Sequence, residues 1–162
     1  MAVIDKRALV QALRDEVAKA ISVLTRAAND AREAATHEEN KPENDKDTRA
    51  IEAGYLAGAQ ADRARELERV SASFASLDLR TLGDDAPISS GALIELDLEG
   101  VSTHYFLAPQ GGGMRAALGG VEVQVITPVS PLGRELLGKR VGDVVELTVQ
   151  KRKRSYEVVT VV

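Results

Sequence analysis

The first 35 residues of the chain contain apolar positions spaced alternately by three and four. From about Asp5 to Ala35 neither glycine nor proline interrupts this pattern. The spacing is typical of a helix that packs along its length against one neighbouring helix. Its apolar positions begin mostly with Leu and Val and end with Ala alone: Val10, Leu13, Val17, Ala20, Leu24, Ala27, Ala31 and Ala34.

A second helix is predicted from about Asp47 to Ser73, with the order of residue sizes reversed. Its apolar positions begin with Ala and end with larger side chains: Ala50, Ala53, Ala57, Ala61, Ala64, Leu67, Val70 and Phe74. The mirrored order predicts an antiparallel coiled-coil hairpin, because short connections favour antiparallel neighbours. Burying Ala yields less free energy than burying Leu, so the hairpin should be less stable toward its connection.

The connection itself, His37–Arg49, is strongly acidic, and we call it the acidic tip. Pro42 is its only apolar residue, and five carboxylates lie within it: Glu38, Glu39, Glu43, Asp45 and Asp47. On pattern alone the favoured interpretation is a solvated loop, since charge clusters are common on exposed connections. Asp45 and Asp47 are explained as charges that stabilise the N-terminus of the second helix.

The hydrophobic period changes from that of a helix to that of strands after a linker at 82–87. Five strands are predicted, together with one short helix, Leu132–Leu137, that follows the N-cap Ser130 and the first-turn Pro131. The strands are Ala92–Leu98, Val101–Leu107, Val121–Ile126, Val144–Val149 and Tyr156–Val162. We therefore predict an α+β fold, with the helical hairpin in 1–78 and an antiparallel sheet with one helix in 79–162.

Composition narrows the class of protein. The chain of 162 residues has a net charge of −4 and no cysteine, which excludes a disulfide framework and thiolate metal sites. No window has the apolar length of a membrane span, and no secretory signal is visible, so we expect a cytoplasmic protein without a membrane partner. The charge gives no drive toward sequence-specific nucleic-acid binding. The basic run Lys151–Arg154 is interpreted as a solvated turn, with contact to a polymerase or RNA as the alternative.

The segment from Ser130 to Leu147 contains Ser-Pro-x-x-x-x-Leu-x-Gly-Lys-x-x-Gly-Asp, which we call the signature. It resembles the signature of the bacterial GreA/GreB transcript-cleavage factor family. The helical hairpin with its acidic tip is similar to the coiled-coil hairpin of that family, and the C-terminal half resembles its FKBP-like globular domain. The resemblance covers nearly the whole chain.

The resemblance implies a partner and a mechanism. Factors of this family bind RNA polymerase through the globular domain near the rim of the secondary channel. They insert the hairpin, so that tip carboxylates help to hold a second Mg²⁺ and a water at the polymerase active site, where backtracked RNA is cleaved. The implied polymerase-binding residues of this chain are Ser130, Pro131, Leu132, Gly133 and Arg134. No cofactor bound to the protein alone is expected, and the protein is not expected to be an enzyme by itself.

The acidic tip aligns with the family motif Asp-x-x-Glu-Asn through Glu43 and Asn44. Asn40 then stands where the family has Asp, and Glu39 or Glu38 is a candidate replacement. The resemblance thus implies that Glu43, Glu39, Asn40 and Asn44 act in cleavage, with Glu43 and Glu39 as indirect Mg²⁺ ligands. Carboxylates suit this role because Mg²⁺ prefers oxygen ligands.

Three other functions remain open at this point. The departure at Asn40 favours a related factor that occupies the channel and regulates or inhibits the polymerase without cleavage. The FKBP-like half allows a peptidyl-prolyl isomerase or chaperone, although its aromatic residues are few: Tyr105, Phe106 and Tyr156. A coiled-coil scaffold that joins other proteins is the third alternative.

Overall fold

A computed structural model describes residues 3–36 and 49–162. Within them the chain forms three helices and six strands. In chain order these are α1 (Lys6–Thr36), α2 (Arg49–Ala75), β1 (Leu93–Leu98), β2 (Val101–Leu107), β3 (Arg115–Leu118), β4 (Val121–Ile126), α3 (Pro131–Leu136), β5 (Val144–Val149) and β6 (Arg152–Val161).

The chain divides into two compact units. One lies within Asp15–Ala72, and the other combines Ser73–Val162 with the start of the chain as far as Arg14. The first turns of α1 and the last residues of α2 therefore belong to the same unit as the sheet. The domain limits 1–78 and 79–162 stay a prediction.

The unit within Asp15–Ala72 is a helical hairpin, as the apolar spacing predicts. Its buried apolar residues are Val17, Ala28, Ala57, Ala64 and Val70. One detail differs from the predicted stripe: Ala28 is buried, Ala27 is only half-buried, and Ala34 is exposed. A straight helix drifts by about 20° per heptad, so a stripe assigned at a strict seven-residue repeat moves off the buried face along a long helix.

None of the helices in the described ranges combines the length and the apolar content needed to cross a membrane.

The second unit is built on one six-stranded sheet, in the order β3-β4-β2-β1-β6-β5. The α+β class is confirmed, but the sheet is mixed, because β2 and β4 pair in parallel while the other four pairings are antiparallel. Five strands were predicted from the sequence, and β3 is not among them. Its residues Arg-Ala-Ala-Leu lack the β-branched and aromatic side chains that identify strands, and pairing with β4 supplies the structure instead.

The main core of this unit lies between one face of the sheet and α3. Ile94 and Leu96 of β1 are fully buried there, as is Leu136 of α3, and Tyr156 and Val158 of β6 complete the layer. The alternation that predicts Ile94, Leu96 and Leu98 on one face is observed. Leu98 packs on the edge of this core.

The basic run Lys151–Arg154 was predicted to form a turn, but most of it lies in strand β6. The turn consists of Gln150 and Lys151, which both have a positive φ, and β6 begins at Arg152. A two-residue turn with left-handed backbone matches the twist of a β-hairpin. The pairing of β5 with β6 therefore includes the basic residues Arg152–Arg154.

Candidate functional site

The acidic tip carries the predicted cleavage residues. Glu43, Glu39, Asn40 and Asn44 all lie within 37–48, outside the described residues, and their roles stay predictions. The flanking elements end at Thr36 and resume at Arg49. The hairpin therefore brackets the predicted site at both ends.

The second predicted site begins at Ser130, which caps α3. The side-chain oxygen of Ser130 accepts a hydrogen bond from the backbone nitrogen of Gly133 at 3.1 Å and donates one to the backbone oxygen of Thr127 at 2.7 Å. Pro131 occupies the first helical turn, where the lack of an N–H carries no penalty. The Ser-Pro pair of the signature is thus explained by how it starts this helix.

Gly133 is buried against the turn that precedes the helix. A β-carbon at this position would overlap the carbonyl oxygen of Thr127 and crowd the hydroxyl of Ser130. The backbone of α3 can therefore approach Thr127 only because residue 133 has no side chain. This contact fixes the start of the helix against the end of β4.

The inner side of α3 is held by apolar packing and by backbone hydrogen bonds. Leu136 is fully buried and Leu132 packs against the same core. The Gly138 nitrogen donates to the Ile88 oxygen at 2.9 Å, and the Ile88 nitrogen donates to the Lys139 oxygen at 2.7 Å. These bonds hold the C-terminal end of α3 in place, and the Ser130 cap holds its start. The outward side chains are therefore presented by a fixed support.

The outer side of the signature exposes apolar and basic groups. Val129 is 78% exposed and Leu137 is 48% exposed, while Pro131 and Arg134 are also exposed. The Arg134 guanidinium donates to the Val129 oxygen at 3.3 Å, and residues three apart on a helix are neighbours. We call Val129, Pro131, Arg134 and Leu137 the signature surface. Exposed apolar side chains beside a cation are typical of a protein-binding surface.

The Gly-Asp pair at the end of the signature has a structural role. The Asp143 carboxylate accepts a hydrogen bond from the Arg140 nitrogen at 2.8 Å, and Gly142 has a φ of 88°. The Gly142 nitrogen and the Asp143 oxygen both bond to Val158 of β6. This turn therefore aligns β5 beside β6.

Lys6, which the sequence did not single out, is the one charged residue buried in the described part of the chain. Its side-chain nitrogen donates to the backbone oxygens of Arg80 at 2.6 Å, Val162 at 2.9 Å and Gly91 at 3.1 Å. Burial lowers the pKa of the Lys6 amine below its ordinary value of 10.5, and the Asp78 carboxylate partly offsets this effect. A signal was present: continuing the spacing of Val17, Leu13 and Val10 backwards puts Lys6 on the apolar stripe.

In residues 3–36 and 49–162, no three His, Asp or Glu side chains are grouped so that they could hold a metal ion. His104 lies half-buried in β2. The predicted Mg²⁺ ligands belong to the acidic tip and are not covered by this finding.

Comparison with known proteins gives one family and several relatives. Residues 119–162 match the model of the family described as transcription elongation factor, GreA/GreB, C-terminal domain. Transcription elongation factor GreA of Rickettsia felis is 37% identical over 102 residues, which are 61% of this chain and 58% of that protein. The Rickettsia conorii GreA matches with the same values. The chain thus spans less than two thirds of the length of these relatives.

Among solved structures, GreA factor homolog 1 (Gfh1) of Thermus thermophilus is 21% identical, with 91% of this chain and 93% of that chain covered and a TM-score of 0.36. The resemblance to the family therefore depends on the sequence matches. Those matches include the signature and the turn that follows it. The resemblance to the GreA/GreB family is therefore confirmed at the level of sequence, because residues 119–162 match the model of its C-terminal domain.

Proposed function

We propose that this protein is a GreA/GreB-like transcription elongation factor that binds RNA polymerase and stimulates cleavage of backtracked RNA. The observation that carries the proposal is the family match over residues 119–162, which contains the signature. The protein supplies no complete active site in this proposal. It acts on the nuclease activity of the polymerase, in the compartment where transcription takes place.

The signature surface is the proposed docking element. Ser130 and Gly133 build the turn, Leu132 anchors it to the core, and Pro131 and Arg134 face outward. The fixed support means that little conformational entropy is lost on binding, since the backbone of the surface is already ordered. Its exposed apolar groups supply the area that a partner would bury.

The acidic tip is the proposed reactive element. Glu43 and Glu39 would reach the active site of the polymerase and hold the Mg²⁺ that it shares with the factor. Asn44 and Asn40 would take part through their amide groups. The two long helices support this role because α1 ends and α2 begins at the two flanks of the tip.

A second candidate function is favoured by Asn40. Its side chain is neutral, and its carbonyl oxygen is a weaker ligand than the carboxylate of the family motif. A factor with one tip carboxylate fewer would occupy the same channel and regulate or inhibit the polymerase without cleaving RNA.

One assay separates these functions. Stalled, backtracked elongation complexes are incubated with the full-length protein, and both RNA cleavage and polymerase binding are measured. Cleavage faster than in the complex alone, reduced by Glu43→Ala but not by Glu52→Ala, supports the first proposal. Glu52 is the matched control because it lies in the first turn of α2, just beyond the tip. Binding without cleavage favours the regulator, and failure to bind the polymerase contradicts both.

A further inference from the structure

A cleft of about 330 Å³ lies on the sheet unit, and no residue of the signature surface lines it. Most of its wall is apolar, and a smaller polar part comes from strands β1, β2 and β6. Its lining residues are Val3, Ile4, Leu93, Val121 and Val162, with Glu95, His104 and Thr160 as the polar members. Clefts of this size and mainly apolar lining are typical of small-molecule sites.

Glu95 supplies a fixed negative charge to this cleft. One carboxylate oxygen accepts a hydrogen bond from the Ser102 hydroxyl at 2.6 Å, and the other accepts from the Thr160 hydroxyl at 3.3 Å. Two donors from neighbouring strands hold the carboxylate in one orientation. A half-buried anion whose orientation is fixed in advance is the polar feature expected at a ligand site.

The charge of Glu95 is not neutralised by a lysine or arginine of the cleft. The eight lining residues include neither type, and the ion pairs found in the described part of the chain do not involve Glu95. Lys6 is occupied by three backbone oxygens. The cleft therefore offers an oriented carboxylate beside apolar surface, and its described lining contains no lysine or arginine. His104 of β2, the cross-strand neighbour of Glu95, is the imidazole of this lining.

We propose that this cleft binds a small organic cation with an aliphatic stem, of the primary ammonium class. The ammonium group would pair with Glu95, and the stem would lie along Leu93, Val121 and Val162. Val3 is 92% exposed on the outer wall, so a stem that contacts it removes apolar surface from water. Charge complementarity at one end and apolar burial at the other select this class of ligand.

The test is a titration of the full chain with hexylammonium, in which the backbone amide chemical shifts are followed by nuclear magnetic resonance. We expect saturable shifts at Leu93, Val121 and Thr160. Hexanol, which lacks the charge, and methylammonium, which lacks the stem, should each bind about tenfold more weakly or not at all. Equal binding of hexanol would overturn the proposal, as would shifts that do not saturate.

Substitutions at the cleft residues test whether hexylammonium binds in this cleft. Glu95→Gln keeps the shape and removes the charge, and it should weaken hexylammonium by about tenfold. Glu157→Gln, on an exposed position of β6, is the matched control and should bind as the parent does. Val3→Ser should weaken hexylammonium and leave methylammonium unchanged. If Glu95→Gln binds as tightly as Glu157→Gln, the carboxylate is not the recognition group and the proposal is wrong.

Discussion

The side-chain nitrogen of Lys6 lies 2.9 Å from the backbone oxygen of Val162, a residue 156 positions later in the chain. Val162 in turn exchanges two backbone hydrogen bonds with Leu93. The first turn of α1 is thus tied to the paired ends of β1 and β6. Two further bonds, to Arg80 and Gly91, connect the same amine to the segments between α2 and β1.

Removal of this amine is expected to destabilise the sheet unit. In Lys6→Met three carbonyl oxygens lose their donor, and the oxygen of Gly91 is left in a buried position. An unsatisfied buried acceptor costs about 1–3 kcal/mol, so we expect the free energy of unfolding to fall by about 2–4 kcal/mol. Amide hydrogen exchange at Leu93 and Val162 is the measurement.

The matched control is Lys19→Met in the same helix. The Lys19 side chain is 74% exposed and pairs with Glu16 across one helical turn. Exposed pairs of this kind contribute little, so its exchange rates should match those of the parent. An equal effect of both substitutions would mean that loss of charge, and not loss of the three bonds, is responsible.

The lowered pKa of Lys6 predicts that the free energy of unfolding depends on pH. The pKa of Lys6 is lowered in the folded protein, mainly by burial. Between that lowered pKa and 10.5 the unfolded chain therefore binds more protons than the folded one, and the free energy of unfolding rises with pH. The stability difference between the parent and Lys6→Met should grow as the pH is raised from neutral toward 10.5. Urea unfolding at a series of pH values tests this, and a difference that shrinks would contradict it.

Gly133→Ala should distort the signature surface. The added methyl group would overlap the oxygen of Thr127, and backbone atoms on both sides would have to move. We expect a loss of about 1–3 kcal/mol in stability, as for other overpacked sites, together with weaker polymerase binding. Thermal unfolding and a pull-down with core polymerase are the measurements.

Gly58→Ala is the opposite control. Gly58 lies in α2, where an added β-carbon meets nothing within 4 Å. Alanine is favoured over glycine in a helix interior by about 1 kcal/mol, so this variant should be more stable than the parent. A destabilised Gly58→Ala would show that any change at these glycines is harmful and would remove the specific explanation at Gly133.

Much of the fold was predictable because its signals are local. The alternation of Ile94, Leu96 and Leu98 defines β1, and the cap at Ser130 marks the start of α3, which begins at Pro131, one residue before the predicted Leu132. The strands Val101–Leu107, Val121–Ile126 and Val144–Val149 have the predicted limits. In each case the residues that determine the element lie within it.

The remaining features depend on contacts between distant parts of the chain. The parallel pairing of β2 with β4 follows from the order of the whole sheet, which the spacing of Val121, Val123 and Val125 does not contain. Lys6 finds its partners 74 to 156 positions away. The edge strand β3 has one local signal, the two-residue turn Gly119-Gly120 that joins it to β4. The polymerase-binding role of Ser130–Arg134 stays a prediction from the sequence, while the exposure of Val129 was visible only in the structure.

Val129→Ser is expected to weaken polymerase binding. Val129 is 78% exposed and has little to contribute to folding, so the variant should be as stable as the parent. If the polymerase buries this side chain, its loss should raise the dissociation constant by about tenfold. Val101→Ser is the control, because Val101 is 61% exposed but lies in β2, outside the signature surface. Equal affinity of the Val129 variant and the parent would place the docking surface elsewhere.

Asn40→Asp tests the predicted alignment of the acidic tip. The substitution restores the carboxylate that the family motif has three residues before Glu43. A carboxylate is a stronger Mg²⁺ ligand than an amide oxygen, so cleavage of backtracked RNA should become faster by about tenfold or more. Asn29→Asp adds the same charge at an exposed position of α1 and is the control. Single-turnover cleavage at saturating factor is the measurement, since it separates the chemical step from binding. If both variants cleave at the rate of the parent, residue 40 is not the position that limits cleavage, and the alignment through Glu43 and Asn44 loses its support.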